Sequence, residues 1–305
     1  MSRWVAGVVL ASMAVSSCST AVDTSVEDQV AVPTEATQPT AATTSAPTAT
    51  TLAAPTTEIS IPQTDLEESG VVGMWWPSDE RLSASPESPL VVLVPGGGWV
   101  SADPTGLVPL AEALAESGAI AVTITYRTAG DDVFFPIPAR DVACAVAHAA
   151  TLARSSGHDP GEVIVLGHSS GAQLGALVAL RPLGFSSDCE DPAVTYDRFI
   201  GLAGPYDVVR AQRFAVDLFG PDNKGPDSWT DGNPIEHAAQ QPELDVLLIH
   251  GTDDRTVPIE FTEAFAEALI DGGHAVDTFY PDGIDHHAVY STEIAARFIA
   301  SWLSL

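Results

Sequence analysis

A serine between two closely spaced glycines is the residue of this chain best suited to chemistry. It stands in Gly167-His168-Ser169-Ser170-Gly171. The apolar run over 162–166 predicts a short buried strand before it, and the segment over 172–180 predicts a helix after it. A sharp strand-to-helix turn exposes the serine hydroxyl and leaves no room for Cβ atoms two residues to either side. Ser169 is therefore a candidate nucleophile. The alternative is a tight turn whose serine has no catalytic role.

Two later segments could activate that hydroxyl. A serine needs a base to remove its proton, and the base needs a third group to orient it. One predicted strand is followed by the adjacent carboxylates Asp253 and Asp254, and the last predicted strand is followed by His286 and His287. The carboxyl ends of parallel strands open on one side of a sheet, so these groups could meet Ser169 there. Alternatively, the aspartates cap the next helix and the histidines face solvent.

Three consecutive glycines could supply backbone donors to the same site. Gly96, Gly97 and Gly98 directly follow the apolar run over 90–94. The N–H groups of Gly97 and Gly98, together with that of Ser170, could hold a developing oxyanion, because no side chain would block the substrate. The alternative is a flexible glycine turn. A phosphate-binding loop is excluded, since the segment lacks both the G-x-G-x-x-G spacing and the lysine of a P-loop.

The elements that would position these residues alternate along most of the chain. The continuous apolar run over 90–94 is typical of a strand covered on both faces. Strands that alternate with helices predict an α/β fold with a mainly parallel sheet and helices on both faces. Strands are predicted at 58–61, 71–76, 90–94, 119–125, 162–166, 199–202, 244–249 and 275–280, and helices at 107–116, 138–156, 172–180, 259–271 and 288–303.

Charge composition excludes one large class of partner. The 305 residues include 12 Lys and Arg against 41 Asp and Glu, which gives a formal net charge of -29. Nucleic-acid binding is not expected, because phosphate contacts require a basic surface. The cysteine spacings match no metal site, and the motifs imply neither a metal nor an organic cofactor. The expected partner is a small-molecule substrate.

The N-terminus resembles a bacterial lipoprotein signal. Arg3 precedes an apolar core over 4–15, which is too short to span a bilayer as a permanent helix, and small residues then lead to Cys18. The resemblance implies a signal peptide over 1–17, cleavage before Cys18 and lipid on that cysteine. The chain would then be exported to the cell envelope and touch the membrane only through its lipid. The alternative is ordinary secretion with cleavage near 21–22.

Composition also divides the mature chain into two parts. Residues 18–56 are rich in Thr, Ala, Pro and Ser and show no apolar periodicity, which predicts a disordered tether. The globular domain is expected over 57–305. Cys144 and Cys189 are the two cysteines of that domain, and an exported protein could join them in one disulfide. The alternative is a pair of reduced thiols, with Cys144 packed inside its helix.

Together these segments resemble the α/β-hydrolase superfamily from about residue 71 to residue 303. The resemblance is greatest to the esterase branch that includes hormone-sensitive-lipase-like esterases, bacterial feruloyl and acetyl esterases, and kynurenine formamidase. It rests on Gly96-Gly97-Gly98-Trp99, Thr125-Tyr126-Arg127, Pro138-Ala139-Arg140-Asp141-Val142, Gly167-His168-Ser169-Ser170-Gly171, Gly204-Pro205-Tyr206-Asp207, His250-Gly251-Thr252-Asp253-Asp254 and Gly283-Ile284-Asp285-His286.

The resemblance chooses between the adjacent candidates. In the family the acid is the third residue after the glycine of the His-Gly pair, which implies Asp254. The histidine is the third residue after the loop glycine, which implies His286. The expected catalytic set is therefore Ser169, Asp254 and His286. Pro95 stands where the family often has a histidine before the glycines, which puts a close parallel in substrate or rate in doubt.

The implied activity is that of a serine esterase. Such an enzyme would hydrolyse carboxylic esters, and the absence of a long apolar insertion favours small or aromatic esters. Phe134 and Phe135, in the segment over 128–138, are expected to line the pocket. Two alternatives remain, namely an exopeptidase or amidase on the same fold, and a lipid-anchored binding protein without catalysis.

Overall fold

A computed structural model describes residues 69–84, 87–221 and 225–305. The predicted signal peptide over 1–17, the lipidation site Cys18, the tether over 18–56 and the predicted strand at 58–61 all lie outside the described residues. Within these three ranges, no helix is both long and apolar enough to cross a membrane.

In the described part of the chain, seven strands form one sheet that is parallel except at one edge. They are β1 (Val71–Trp75), β2 (Leu90–Val94), β3 (Ile120–Ile124), β4 (Val163–His168), β5 (Arg198–Leu202), β6 (Asp245–Ile249) and β7 (Val276–Phe279). Their order across the sheet is β1-β3-β2-β4-β5-β6-β7. Only β1 runs antiparallel to its neighbour β3. The predicted α/β class with a mainly parallel sheet is confirmed.

The helices cover both faces of this sheet. They are α1 (Asp79–Ala84), α2 (Val108–Ser117), α3 (Ile137–Ser155), α4 (Ser170–Leu180), α5 (Gln212–Phe219), α6 (Pro226–Asp231), α7 (Glu260–Gly272) and α8 (Arg297–Trp302). Apolar residues of α3, α4 and α7 belong to one core cluster, and those of α2 and α8 belong to a second. Helices therefore pack on both sides, as the sequence pattern predicts.

Strand β2 shows why the sequence folds in this way. Leu90, Val92 and Val94 belong to the core cluster of α3 and α4, whereas Val91 and Leu93 belong to that of α2 and α8. Successive side chains of a strand point to opposite faces, so a strand buried on both sides must be apolar at every position. All five residues are fully buried.

The end of the chain differs from the prediction of one helix over 288–303. The structure has a 3-10 turn at Ala288–Tyr290, a π-helical turn at Thr292–Ala296 and then α8. Ser291 between the two turns is extended, with φ -62° and ψ 152°, and this conformation interrupts the helix. The short helices α1, α5 and α6 were not predicted from the sequence. Helix α5 owes its position to burial of Ala215, Leu218 and Phe219 along one face.

A disulfide ties one loop to the long helix α3. Cys144 lies in α3, and Cys189 lies in the segment between α4 and β5; their Cα atoms are 5.1 Å apart. One turn further along α3, the His148 ring nitrogen Nδ1 lies 2.8 Å from an Asp191 carboxylate oxygen. The bridge and this hydrogen bond therefore fix the same loop to the same helix at two points.

Candidate active site

Ser169 stands on the tight turn between β4 and α4. Its φ of 53° and ψ of -124° lie in a region that residues with a side chain rarely adopt. Its N–H donates to the Leu202 carbonyl of β5 at 2.9 Å, which holds the turn against the neighbouring strand. A Cβ on Gly167 would come within 2.4 Å of the Gly171 carbonyl oxygen. The glycine spacing is thus required by the turn, as the sequence indicates.

We predict that Gly171→Ala destabilises the fold. An added Cβ would lie 2.3 Å from the Pro95 carbonyl oxygen and 2.4 Å from that of Val94, so the backbone itself would have to shift. Overpacking of this kind costs about 1–3 kcal/mol in unfolding free energy, measurable by urea denaturation. Gly106→Ala is the matched comparison, because the atoms nearest to its added Cβ would be those of the Tyr290 side chain, at 3.2 Å or more, rather than backbone atoms. Equal stability of the two variants would contradict the prediction.

A continuous chain of hydrogen bonds joins Ser169, His286 and Asp254. Nε2 of His286 lies 2.9 Å from the Ser169 hydroxyl, and Nδ1 lies 2.6 Å from an Asp254 carboxylate oxygen. The Asp254 side chain is 0 % exposed and that of His286 is 6 % exposed. The structure therefore brings together the three residues that the resemblance implies. The neighbouring candidates, Asp253 and His287, form no side-chain hydrogen bond to Ser169.

The surroundings of Asp254 keep its carboxylate charged. Burial raises the pKa of Asp254, but hydrogen bonds from His250, His286 and the Val257 N–H outweigh burial and hold that pKa well below its usual value. One carboxylate oxygen accepts from the N–H groups of Thr256 and Val257 at 2.8 and 2.9 Å. A charged acceptor requires a proton on Nδ1 of His286, which leaves Nε2 free to accept the Ser169 proton.

His250 contacts the Asp254 carboxylate, which the sequence motif alone did not reveal. Its Nε2 lies 3.2 Å from the same Asp254 oxygen that His286 contacts, and 2.9 Å from the Val257 carbonyl. Its Nδ1 lies 2.6 Å from the Thr262 hydroxyl of α7. The ring is fully buried. His250 thus joins the end of β6, the loop after it and α7 behind the carboxylate.

His168, directly before the serine, fixes the loop that carries His286. Its Nε2–H donates to the His286 backbone carbonyl at 2.8 Å, and its ring meets that of Tyr290 edge-on, with centroids 4.6 Å apart. Burial, followed by the neighbouring His286, lowers the pKa of His168 to about 3. His168 is therefore neutral and acts as a positioning residue. The sequence did not predict this role for His168.

This buried histidine predicts a loss of stability in acid. Below about pH 6.5 the unfolded chain binds a proton at residue 168 that the folded chain does not bind, so unfolding becomes easier as pH falls. Between about pH 7.5 and about pH 5 the contribution is about 2 kcal/mol. We expect His168→Gln, which keeps an N–H donor but does not titrate, to lose less stability over this interval in urea titrations. Identical pH dependence of wild type and variant would disprove the assignment.

Backbone donors surround the Ser169 hydroxyl. Gly98 and Ser170 line the same cavity as Ser169, whereas Gly97 is not among its lining residues. In the described part of the chain, the N–H groups of Gly97, Gly98 and Ser170 have no protein acceptor. The Gly97 carbonyl accepts from the N–H groups of residues 100 and 101, which closes the glycine turn. Free donors at Gly98 and Ser170 are therefore available to a bound oxyanion.

The glycine loop is anchored on both sides. The Tyr126 hydroxyl donates to the Pro95 carbonyl at 2.9 Å. Trp99 has a φ of 60°, and its indole N–H donates to the Gln173 side chain of α4 at 2.9 Å. The Gln173 amide in turn donates to the Gly232 carbonyl at 2.8 Å. These bonds hold the loop in place although Pro95 stands where the family often has a histidine.

A cavity of about 310 Å³ opens beside Ser169. Its walls are mainly apolar and aromatic. They include Trp99, Pro205, Phe214, Val257 and Phe261. Among the described residues, no group of histidine, cysteine, aspartate and glutamate side chains is arranged to hold a metal ion.

The expectation that Phe134 and Phe135 line this cavity is wrong. The Phe135 ring packs in the core against Phe185 and Phe219, with centroids 6.0 and 5.6 Å away. Phe134 lies against the backbone of Gly220. The Phe135 N–H donates to the Leu218 carbonyl, which ties this segment to α5 rather than to the cavity. The cavity is walled instead by residues 205–214 and 255–261, which follow β5 and β6.

Comparison with protein-family models shows the family of this chain. The BD-FAE family model matches residues 80–269, more than half of the chain. The chain belongs to the BD-FAE family. This match covers the glycine loop, the serine turn and Asp254, whereas His286 lies beyond it.

Curated relatives of this BD-FAE chain are esterases. It is 28 % identical over 246 residues to Esterase LipQ of Mycobacterium tuberculosis, which covers 73 % of this chain and 56 % of that protein. It is 27 % identical over 221 residues to a probable isoprenylcysteine alpha-carbonyl methylesterase of Oryza sativa, covering 65 % of this chain and 50 % of that protein. The chain thus spans about half the length of these relatives.

Solved structures show the same fold. A truncated carbohydrate esterase from gut microbiota superposes with a TM-score of 0.66 at 17 % identity, over 76 % of this chain and 89 % of that one. A thermophilic esterase of Thermogutta terrifontis gives 0.60 at 22 % identity, over 76 % and 85 %. The BD-FAE domain of this chain has the α/β-hydrolase fold, as the sequence resemblance implies.

Proposed function

We propose that this chain is a serine carboxylic ester hydrolase that uses Ser169, His286 and Asp254. The observation that carries the proposal is the hydrogen-bond chain from the serine hydroxyl through the imidazole to a buried, charged carboxylate. A histidine so placed takes the serine proton as the hydroxyl attacks a carbonyl carbon. The curated relatives named esterases support the same reaction class.

The geometry fits a two-stage reaction. His286 accepts the Ser169 proton through Nε2 and then gives it to the departing alcohol. The N–H groups of Gly98 and Ser170, and that of Gly97 if the turn adjusts, hold the negative charge on the carbonyl oxygen. Asp254 stabilises the imidazolium and fixes its orientation. A water molecule, activated by the same histidine, then releases the acid from the serine.

The cavity supports small or aromatic esters as substrates. A volume of about 310 Å³ suits a short acyl chain or one aromatic ring with its alcohol. The Trp99 and Phe261 rings offer flat apolar surface to such a group. The relatives act, by their names, on a prenylcysteine methyl ester and on carbohydrate esters, so the family name alone does not select the substrate.

Covalent labelling tests the proposal directly. A fluorophosphonate probe should attach to the wild-type protein at Ser169 and should leave Ser169→Ala unlabelled, with the site identified by peptide mass spectrometry. A folded wild-type protein that fails to react would favour the binding-protein alternative. Parallel assays with p-nitrophenyl acetate and with peptide anilides separate the reaction classes, and faster anilide cleavage would favour the exopeptidase or amidase.

The location of the chain stays a prediction. Export, lipid attachment at Cys18 and a tether over 18–56 fit the composition of the N-terminus. The disulfide between Cys144 and Cys189 supports an oxidising compartment, because such bonds persist mainly outside the cytosol.

A further inference from the structure

An exposed arginine lines the candidate active-site cavity. Arg255 follows Asp254 directly, is exposed, and lines the same cavity as Ser169. Within the described ranges, its guanidinium forms no hydrogen bond or ion pair with the protein. By contrast, five other arginines of this acidic chain are paired with carboxylates. These are Arg127, Arg140, Arg154, Arg181 and Arg198.

A second guanidinium, that of Arg210, packs against one of the lining residues, although Arg210 itself is not among them. Arg210 lies over the Phe261 ring, 5.1 Å from its centroid, and Phe261 lines the cavity. No described carboxylate forms an ion pair with Arg210. An arginine held over an aromatic face keeps its edge donors free for a planar anion.

Two carboxylates close in sequence to these arginines, Asp254 and Asp207, accept hydrogen bonds from other groups. Both oxygens of Asp254 accept hydrogen bonds from His286 and from backbone N–H groups. Asp207 accepts from the Arg210 N–H and from the Asn233 side chain. The positive charge of Arg255 and Arg210 is not held in an ion pair with either of these carboxylates. It is also unusual, because a net charge of -29 would otherwise repel an anion from the whole surface.

We propose that the substrates carry a carboxylate or a similar anionic group, which Arg255 and Arg210 recognise at the Phe261 wall. This inference rests on the proposed function and adds the substrate class. The apolar wall binds the body of the ester, and the guanidinium groups bind its charged end by charge-assisted hydrogen bonds. The arginines select the substrate and take no part in proton transfer.

Two matched pairs of esters test this proposal. For charge on the alcohol half, 4-acetoxybenzoate is compared with 4-acetoxybenzamide. For charge on the acid half, monoethyl adipate is compared with ethyl adipamate. The readout is the ratio of kcat/KM for the anion to that for its neutral partner, measured by chromatography of the products. The variants are Arg255→Gln, Arg255→Lys, Arg210→Gln and, as the control, Arg213→Gln.

The wild-type protein should prefer the anion in at least one pair. In that pair, Arg255→Gln should lower the ratio about fivefold, mainly through KM, as expected for a charged contact at a partly exposed site. Arg210→Gln should lower it less, and Arg255→Lys should keep part of the preference. Arg213 is an exposed residue of α5 outside the cavity lining, so Arg213→Gln should keep the wild-type ratio.

Two results would overturn the inference. One is a wild-type protein that shows no preference for the anion in either pair. The other is a ratio in Arg255→Gln equal to that of the wild type or of Arg213→Gln. Both differ from failure of the proposed function, in which the wild type would hydrolyse no neutral ester and Ser169 would not react with the fluorophosphonate.

Discussion

The Ser169→Ala variant is expected to fold normally and to lose at least about 10⁴-fold in kcat for neutral aryl esters. The Ser169 hydroxyl is the group that lies within hydrogen-bond distance of Nε2 of His286, so the substitution removes the nucleophile that the imidazole activates. Binding in the apolar cavity and the free N–H donors of Gly98 and Ser170 would remain. The residual rate should therefore exceed that of the ester in water.

Steady-state assays with p-nitrophenyl acetate measure this loss, and thermal denaturation checks the fold. Alanine removes a single oxygen from a site that is 9 % exposed, so the melting temperature should change little. Strain at Ser169, with φ 53°, remains in both proteins. Retention of full turnover by a correctly folded Ser169→Ala protein would remove the nucleophile from the proposal.

The second large effect is expected at the buried carboxylate. Asp254→Asn should lower kcat about 10³- to 10⁴-fold at neutral pH. The amide oxygen would still accept from the Thr256 and Val257 N–H groups, which turns the NH₂ group toward His286. That donor would require Nδ1 of His286 to be unprotonated. The proton would then sit on Nε2, which could no longer accept the proton of Ser169.

Asp253→Asn is the matched control for this change. Asp253 is the adjacent residue, its side chain is exposed, and its backbone N–H donates to the Ile284 carbonyl at 3.0 Å. The same chemical change at position 253 should leave kcat within about twofold, since surface substitutions have small effects. Similar losses at 253 and 254 would contradict the assignment of the acid.

The strands and the reacting side chains could be predicted because short stretches of sequence determine them. Strand β2 is apolar at every position since both of its faces are covered, and the glycines around Ser169 follow from the tightness of one turn. The order of serine, aspartate and histidine after successive strands then placed all three at one edge. Only the choice of Asp254 over Asp253 and of His286 over His287 required a family pattern.

The cavity and the supporting contacts could not be predicted, because they depend on distant pairings. Phe135 lies eleven residues after Ile124, where β3 ends, in a segment that looked free to line a pocket, yet its N–H donates to the Leu218 carbonyl. His168 supports the His286 loop across 118 residues of sequence. The break at Ser291 likewise follows from how the last segment packs, since its composition alone favoured one helix.

Strand β7 is a weakly held part of the sheet beside the reacting groups. It is four residues long, lies at the edge of the sheet, is only partly buried and pairs with β6 alone. The loop that follows it carries the imidazole, which meets a hydroxyl 117 residues earlier in the chain. Edge elements with few buried contacts open at lower free energy than a sheet centre. If β7 detached from the sheet, His286 would move away from Ser169 and activity would be lost while the core stayed folded. Heat or denaturant should therefore abolish turnover before global unfolding.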